Sequence, residues 1–424
     1  MKIVYNRGMY IGQFQNGYNL HIPSRKERFW FFLKNKKIST LLGTIILMAV
    51  LAWFSFLILK SAQDFPQFNP PQFVPRKKIV VEEKKEEVVK PKYEYYHTPV
   101  SISMDKIKKQ GCVADGILSG YGQDTKESTD MINRSNCVYL HRALETWADT
   151  PDFEKASRIM AKIKKPDIVY GMFIAEAIKK NKDFYYPEKD RDFDFSEMCR
   201  NNSENVWGEH TCKPSLNEKE YRKYLKHITH EAMDLGVQSF LFGQIHYQDN
   251  PDLDKSKLKE VLDDMREYAK SKNMQIIIGA QTGTITNEKY LRMFDYIEGG
   301  VGIGDDGKIE NGPCWSHLQS CWALLWHERY ASKANNVLLH LDWSGLKFDD
   351  MSVFARMDKT KRETVLKDLY SYFTSRNMGF LMPMMATINK ENGGCYGPKK
   401  RFYSASKEYT CQDEGIINSI IKGK

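Results

Sequence analysis

Cysteine is absent from the first 97 of the 424 residues, and charge is absent from residues 38–59. No two of the eight cysteines stand in C-x-x-C spacing, and no H-E-x-x-H occurs. Net charge is missing where it would count most. The chain carries +9 overall, yet residues 98–424 hold basic and acidic groups in equal number, so the excess lies before them. A large region with no basic bias lacks the electrostatic footprint of a nucleic-acid binder, and no nucleic-acid partner is expected. Without zinc spacings, no metal and no cofactor are expected. A hydrophobic content of 42% rules out a wholly disordered chain.

The uncharged run is Ile38 to Leu59, 22 residues between Lys37 and Lys60. About 20 apolar residues in a helix cross a bilayer core. A cleaved signal peptide has a shorter apolar stretch, roughly 7–15 residues, and a small-residue cut site, neither of which is found here. The run therefore predicts an uncleaved anchor in the lipid bilayer. Residues 1–37 carry eight basic groups against one acid, which predicts a cytoplasmic N-terminal tail. Residues 60–97 are Pro-rich and then charged, from Glu82 to Glu87, and read as a spacer. All the cysteines lie beyond it, at Cys112, Cys137, Cys199, Cys212, Cys314, Cys321, Cys395 and Cys411. An even count confined to one side of an anchor fits an oxidising compartment. Residues 98–424 are accordingly expected outside the cytoplasm, in a secretory lumen, a periplasm or at the cell surface. Sequence neighbours suggest the pairs 112–137, 199–212, 314–321 and 395–411, with zinc as the less favoured use of the thiols.

Strand-like runs alternate with amphipathic helices through 98–424. The strands expected are 113–118, 167–175, 237–245, 275–280, 297–303, 337–341 and 379–386, with an eighth near Phe402-Tyr403. Helices are expected after Thr150-Pro151, after a capping box Ser215-x-x-Glu218, over Leu258 to Tyr268, at Tyr290 to Phe294, over 316–332, after a second box Thr360-x-x-Glu363, and over 414–421. Strands alternating with helices imply a parallel sheet, and seven or eight such units fit an α/β fold of the (β/α)8 TIM-type barrel. The glycine run Gly299-Gly300-Val301-Gly302-Ile303-Gly304 comes late in the chain and reads as a tight strand and loop, not a nucleotide site.

In a barrel the reactive residues close the strands at their carboxyl ends. At those places stand Glu176, Gln244, His246-Tyr247, Gln281-Thr282, Asp305-Asp306 and Asp342-Trp343. Carboxylates supply acid and base or nucleophile, amides and imidazole bind hydroxyls, and flat aromatics stack on pyranose faces. The cysteine pairs 199–212, 314–321 and 395–411 each follow a strand and would fasten loops of that face. The long segment 177–215, with Trp207 and His210, would form much of it.

On Glu176, Gln244, His246, Gln281, Asp342 and Trp343 the chain resembles the glycoside-hydrolase type of (β/α)8 barrel, at the level of architecture, over roughly 110–420. The resemblance implies a glycosidase acting on a polysaccharide or other glycan, which the uncharged run 38–59 would anchor in the membrane. Glu176 and Asp342 would form its carboxylate pair, with the division between acid and nucleophile open. Gln244, His246, Tyr247, Gln281, Trp315 and Trp343 would contact substrate. The blander readings are a turn for Asp305-Asp306-Gly307 and core packing for Trp322 and Trp326. Two other functions compete: a non-catalytic glycan-binding barrel, and a metal-dependent carbohydrate deacetylase with its metal near His246.

Overall fold

The structure is a computed structural model. It describes residues 93–309, 328–347, 349–389 and 393–423. The expected tail, the anchor, most of the spacer and the helix 316–332 up to Glu328 lie outside the described residues. So do Trp315, Trp322, Trp326, Cys314 and Cys321. Among the described residues no helix is long and apolar enough to cross a membrane.

The core is a curled sheet whose strands run parallel except at one edge. Its strands are β1 (Gly111–Ala114), β2 (Tyr139–Leu144), β3 (Val169–Ile174), β4 (Ser239–Phe242), β5 (Ile277–Ala280), β6 (Tyr296–Gly300), β7 (Val337–His340), β8 (Gly379–Phe380), β9 (Met382–Thr387) and β10 (Phe402–Ser404). The order across the sheet is β8-β7-β6-β5-β4-β3-β2-β1-β9-β10. Only Leu381 separates β8 from β9, and its N–H donates to Leu339 O at 2.7 Å. One continuous run, 379–387, thus bonds to β7 through its start and to β1 through its later residues. Nearly every residue of β1 to β9 is buried, as expected for a parallel sheet covered on both faces.

Helices fill the intervals, and the main ones are α1 (Met104–Gln110), α2 (Thr125–Arg134), α3 (Phe153–Met160), α4 (Lys219–Leu235), α5 (Leu258–Ser271), α6 (Asp350–Arg356), α7 (Lys359–Thr374) and α8 (Glu414–Ile421). α4 buries Tyr221, Tyr224, Leu225, Ile228, Ala232 and Leu235, the face read from the sequence. It stops at Gly236, whose φ of 104° suits glycine, and a Cβ there would lie 2.2 Å from His97 O. The capping boxes are corrected. Glu218 stands at the N-cap of α4, while Ser215 Oγ accepts from Asn217 N. Asp358 caps α7 by accepting from Lys361 N. An aspartate two residues earlier performs the same task as a threonine, because the cap needs only an oxygen facing a free N–H.

Two strand expectations change. β2, the run YLHRAL, was not among the expected strands, because His141 and Arg142 interrupt its apolar pattern. Both lie on the inner and upper side of the sheet, where polar groups gather. Phe402–Ser404 is a strand but pairs antiparallel with β9, so it is an edge and not the eighth parallel unit. The glycines continue into Gly302-Ile303-Gly304-Asp305-Asp306-Gly307, which does carry G-x-G-x-x-G spacing. Here it forms a turn closed by an Ile303–Ile309 bridge, with Gly307 N donating to Gly304 O at 2.8 Å. A phosphate loop would open a helix at this point.

Among the described residues, three disulfides join sequence neighbours, Cys112–Cys137, Cys199–Cys212 and Cys395–Cys411. The first fastens β1 to the lead-in of β2 across a separation of 25 residues. Replacing both Cys112 and Cys137 by alanine is expected to cost about 3 kcal/mol of stability, read as a lower denaturant midpoint for the full chain.

Candidate active site

Polar side chains inside the sheet form one connected column. Tyr139 OH on β2 lies 3.1 Å from Ser239 Oγ on β4 and 3.3 Å from Tyr296 OH on β6. The same hydroxyl meets His141 Nδ1 at 2.9 Å. His141 Nε2 faces Glu298 Oε1 at 3.1 Å, and His340 Nε2 on β7 pairs with that same oxygen. His340 Nδ1 is held by Leu341 O at 3.0 Å. Burial pushes the Glu298 carboxyl up, but the two imidazoles outweigh it and hold the group well below the usual range. Burial depresses both histidines. Glu298 reverses this for His340, whose pKa is raised, while His141 stays lowered. Within the column, Glu298 is pushed toward its ionised form, His340 toward its charged form and His141 toward its neutral form. His141, Glu298 and His340 are also a donor set that suits a divalent transition metal, their ligand atoms lying within 4.8 Å of one another.

Above the column, the strand ends carry carboxyls. Asp342, two residues past β7, is 4% exposed, and its Oδ2 meets no donor. Its N–H donates to Asp350 Oδ2 at 3.1 Å. Asp350 also accepts from Gly302 N at 3.0 Å and Ile303 N at 2.8 Å, so one carboxylate ties the ends of β6 and β7 together. Asp349 caps α6 at Ser352 N and accepts from Ser344 N and Leu346 N, which sets the loop after Asp342. Burial drives the Asp342 carboxyl well above the ordinary range. His340 opposes this, and Asp350 and Asp349 reinforce it. Burial also pushes Asp350 up to about 6.

Glu176 lies two residues past β3. Its Oε1 accepts from Gln244 Nε2, its Oε2 has no donor, and burial raises its pKa. Gln244 N in turn donates to Gln281 Oε1 at 3.2 Å, so Gln281 positions the turn that presents Gln244. Gln244 has a φ of 23°, a conformation that L-residues adopt only under constraint. β4 ends at Phe242, earlier than the sequence suggested, and His246 and Tyr247 sit on the single helical turn Ile245–Gln248. His246 Nδ1 is buried without a partner. Burial, with Lys213 and Arg200 nearby, lowers its pKa to about 4, so the ring is neutral at physiological pH.

Three residues of this end were not read from the sequence. Arg142 sits in a bulge of β2 with φ 53°. Its Nε donates to Glu145 Oε1 at 2.6 Å, and its guanidinium lies 3.7 Å from the centre of the Phe173 ring and 4.5 Å from that of Trp343. It thereby links the ends of β2, β3 and β7. Glu145 Oε2 meets no donor. Burial holds its carboxyl well above the ordinary range, against the pull of Arg142 and with the support of Asp115. Asp115 follows β1 and accepts from both Thr387 N and Thr387 Oγ1 at 3.0 Å. The signal was the charged pair in HRALE, which hid the strand.

The aromatics are redistributed. Trp343 is 7% exposed and packs edge-on against His340 at 4.6 Å, so its ring is not an open platform. The exposed ring at this end is Trp147, 38% exposed, beside the half-buried Trp207 and Tyr247. Trp147 and Trp207 are 5.4 Å apart, and Trp207 and Tyr247 6.0 Å. Glu176, Gln244, His246, Tyr247 and Gln281 therefore gather at the ends of β3 to β5. Asp342 and Trp343 stand at β7, with Arg142 bridging toward them. Asp305 and Asp306 stay at their turn.

No family model matches the chain, and no curated protein matches it. The chain is similar in its arrangement of strands and helices to solved glycoside hydrolases. One is a family 27 β-L-arabinopyranosidase from Geobacillus stearothermophilus, with 10% identity and a TM-score of 0.32, covering 67% of this chain and 62% of that one. Another is the isomalto-dextranase of Arthrobacter globiformis T6, with 10% identity and a TM-score of 0.43, covering 77% and 59%. A third is a family 5 enzyme from Prevotella bryantii, with 8% identity and a TM-score of 0.41, covering 77% and 99%. The chain spans less than two thirds of the arabinopyranosidase's length. Likenesses of this order do not identify a reaction.

A carboxyl that holds its proton more tightly folded than unfolded loses stability as pH rises from its unfolded value toward its folded one. Asp342→Asn removes that loss. The variant is expected to melt at an equal or higher temperature than the parent at pH 7, with a flatter dependence between pH 4 and 8. Glu298→Leu, by contrast, strands the His340 charge and is expected to cost about 3–5 kcal/mol.

Proposed function

We propose that the chain is a membrane-anchored enzyme that cleaves glycosidic bonds of a polysaccharide outside the cytoplasm. Residues 1–37 would be the cytoplasmic tail, 38–59 the anchor, 60–97 the spacer and 98–424 a closed (β/α)8 barrel. Closure is supported by the run 379–387, which pairs with β7 and with β1. One observation carries the chemistry. Carboxyl oxygens of Glu145, Glu176, Glu298 and Asp342 are buried without a donor, on or just past β2, β3, β6 and β7. Such groups are costly in a folded core and call for a ligand or a proton.

Asp342 is assigned as general acid. Its pKa is raised well above the ordinary range, so it keeps a proton to give to the departing glycosidic oxygen as the anomeric C–O bond breaks. Glu176 is assigned as the second carboxyl. The Gln244 amide, Arg142 and Lys213 favour its ionised form against burial. It then attacks the anomeric carbon or takes a proton from the attacking water. Trp147, Trp207 and Tyr247 would carry pyranose faces.

A metal-dependent carbohydrate deacetylase is the second reading. Its support is the donor set of His141, Glu298 and His340, not His246. The full chain, incubated with a polysaccharide panel, is expected to release reducing ends. Asp342→Asn and Glu176→Gln should each lower kcat by roughly 10²–10⁴-fold, with the rate falling as pH rises through the Asp342 pKa. Release of acetate without new reducing ends, abolished by a chelator, would favour the second reading.

A further inference from the structure

The loop carrying Trp207 fastens two cations side by side with no carboxylate in ion-pair contact; Glu176 acts on Lys213 and Asp249 on Arg200 only from a longer distance. Arg200 follows Cys199 and Lys213 follows Cys212, and these two cysteines are bonded to each other. The backbone repeats the link, since Arg200 N donates to Lys213 O at 2.7 Å and Cys199 bridges Pro214. Among the described residues no carboxylate lies within 4.0 Å of either cation. The Arg200 guanidinium donates to two backbone carbonyls, Asp249 O and, at 3.4 Å, His246 O. Lys213 Nζ stands 3.5 Å from the centre of the Tyr247 ring and 5.8 Å from that of Trp207. Nearby lysines behave differently, with Lys180 paired to Glu204 and Lys182 to Asp149.

Holding two half-buried like charges together costs folding energy, and the disulfide prevents their separation. The same corner contains unfilled donors and acceptors. Trp207 Nε1 is buried with no acceptor, and His246 Nδ1 is buried with no partner. The aromatic strip Trp147–Trp207–Tyr247 runs beside them. Two cations, an idle indole N–H and stacking rings together suit a flat sugar ring bearing an oxyanion.

We propose that Lys213 and Arg200 bind the negatively charged substituent, a carboxylate, sulfate or phosphate, of an acidic sugar residue whose ring rests on Trp147 and Trp207. This subsite rests on the glycan-active reading and adds the charge class of the substrate.

The test uses the full chain in uncharged detergent and titrates it calorimetrically. The probes are oligogalacturonate, dextran sulfate, a phosphomannan and neutral dextran. At least one anionic glycan is expected to bind more tightly than neutral dextran, and to weaken with added salt. Lys213→Ala should weaken that binding on the order of tenfold, and Lys213→Arg should largely restore it. Which anionic probe binds identifies the substituent. An unchanged melting temperature for Lys213→Ala excludes a folding defect. Absence of binding by all three anionic probes overturns the proposal, as does binding that Lys213→Ala leaves unchanged. Anionic binding without bond cleavage supports the subsite and sinks the hydrolase. Cleavage of neutral dextran alone supports the hydrolase and sinks the subsite.

Discussion

A parallel sheet covered on both faces leaves a polar side chain two places to go: the interior axis, or the carboxyl ends of the strands. The rest of this molecule follows from that constraint. Tyr139, Ser239, Tyr296, His141, Glu298 and His340 occupy the axis and meet one another in a single column, which leaves Glu298 Oε2 without a donor. What the column cannot absorb gathers at the ends, as Asp115, Glu145, Glu176 and Asp342. Bonds at this end run between strands: Asp350 to the ends of β6 and β7, Gln281 to Gln244, and Arg142 across β2, β3 and β7.

Low dielectric gives these acids different characters. Two facing imidazoles hold the Glu298 carboxyl below the ordinary range, despite the cost of burial. Asp342, one strand away, has acidic neighbours on its loop and keeps its proton. Glu176 has an amide donor and nearby cations working against the same burial. A chemistry that needs one protonated and one ionised carboxyl can draw on this contrast. The constrained backbones of Arg142 and Gln244 lie on either side of Glu176, on β2 and just past β4, where surrounding packing must hold them.

The loop after β3 adds what the rigid sheet lacks, an open surface. Its disulfide, its short ladder Ile178–Lys179 with Thr211–Cys212 and the caged Trp207 convert a long connection into a fixed wall. That wall places Lys213 over Tyr247 and Trp147 beside Trp207. Order in a long loop without an α-helix draws on such staples and on the loop's own buried side chains, Ile178, Tyr186, Phe193, Phe195 and Met198.

Much of this could be read along the chain. Alternating apolar runs revealed seven of the parallel units, because burial on both faces demands continuous Val, Ile, Leu and Phe. Among the described residues, three of the four expected cysteine pairs form, since short loops bring their ends together. Glu176 and Asp342 stood out as acids closing apolar strands. β2 was illegible for the converse reason: its polar side chains, His141 and Arg142, are the residues that break the pattern by which a strand is recognised. The uncharged run and the charge balance belong to the sequence alone, because composition needs no fold. Partnership does not. Whether Trp343 or Trp147 is open, which of four acids keeps its proton, and that Arg200 and Lys213 stand together depended on contacts between residues far apart in the chain. Such contacts exist only once the sheet has curled.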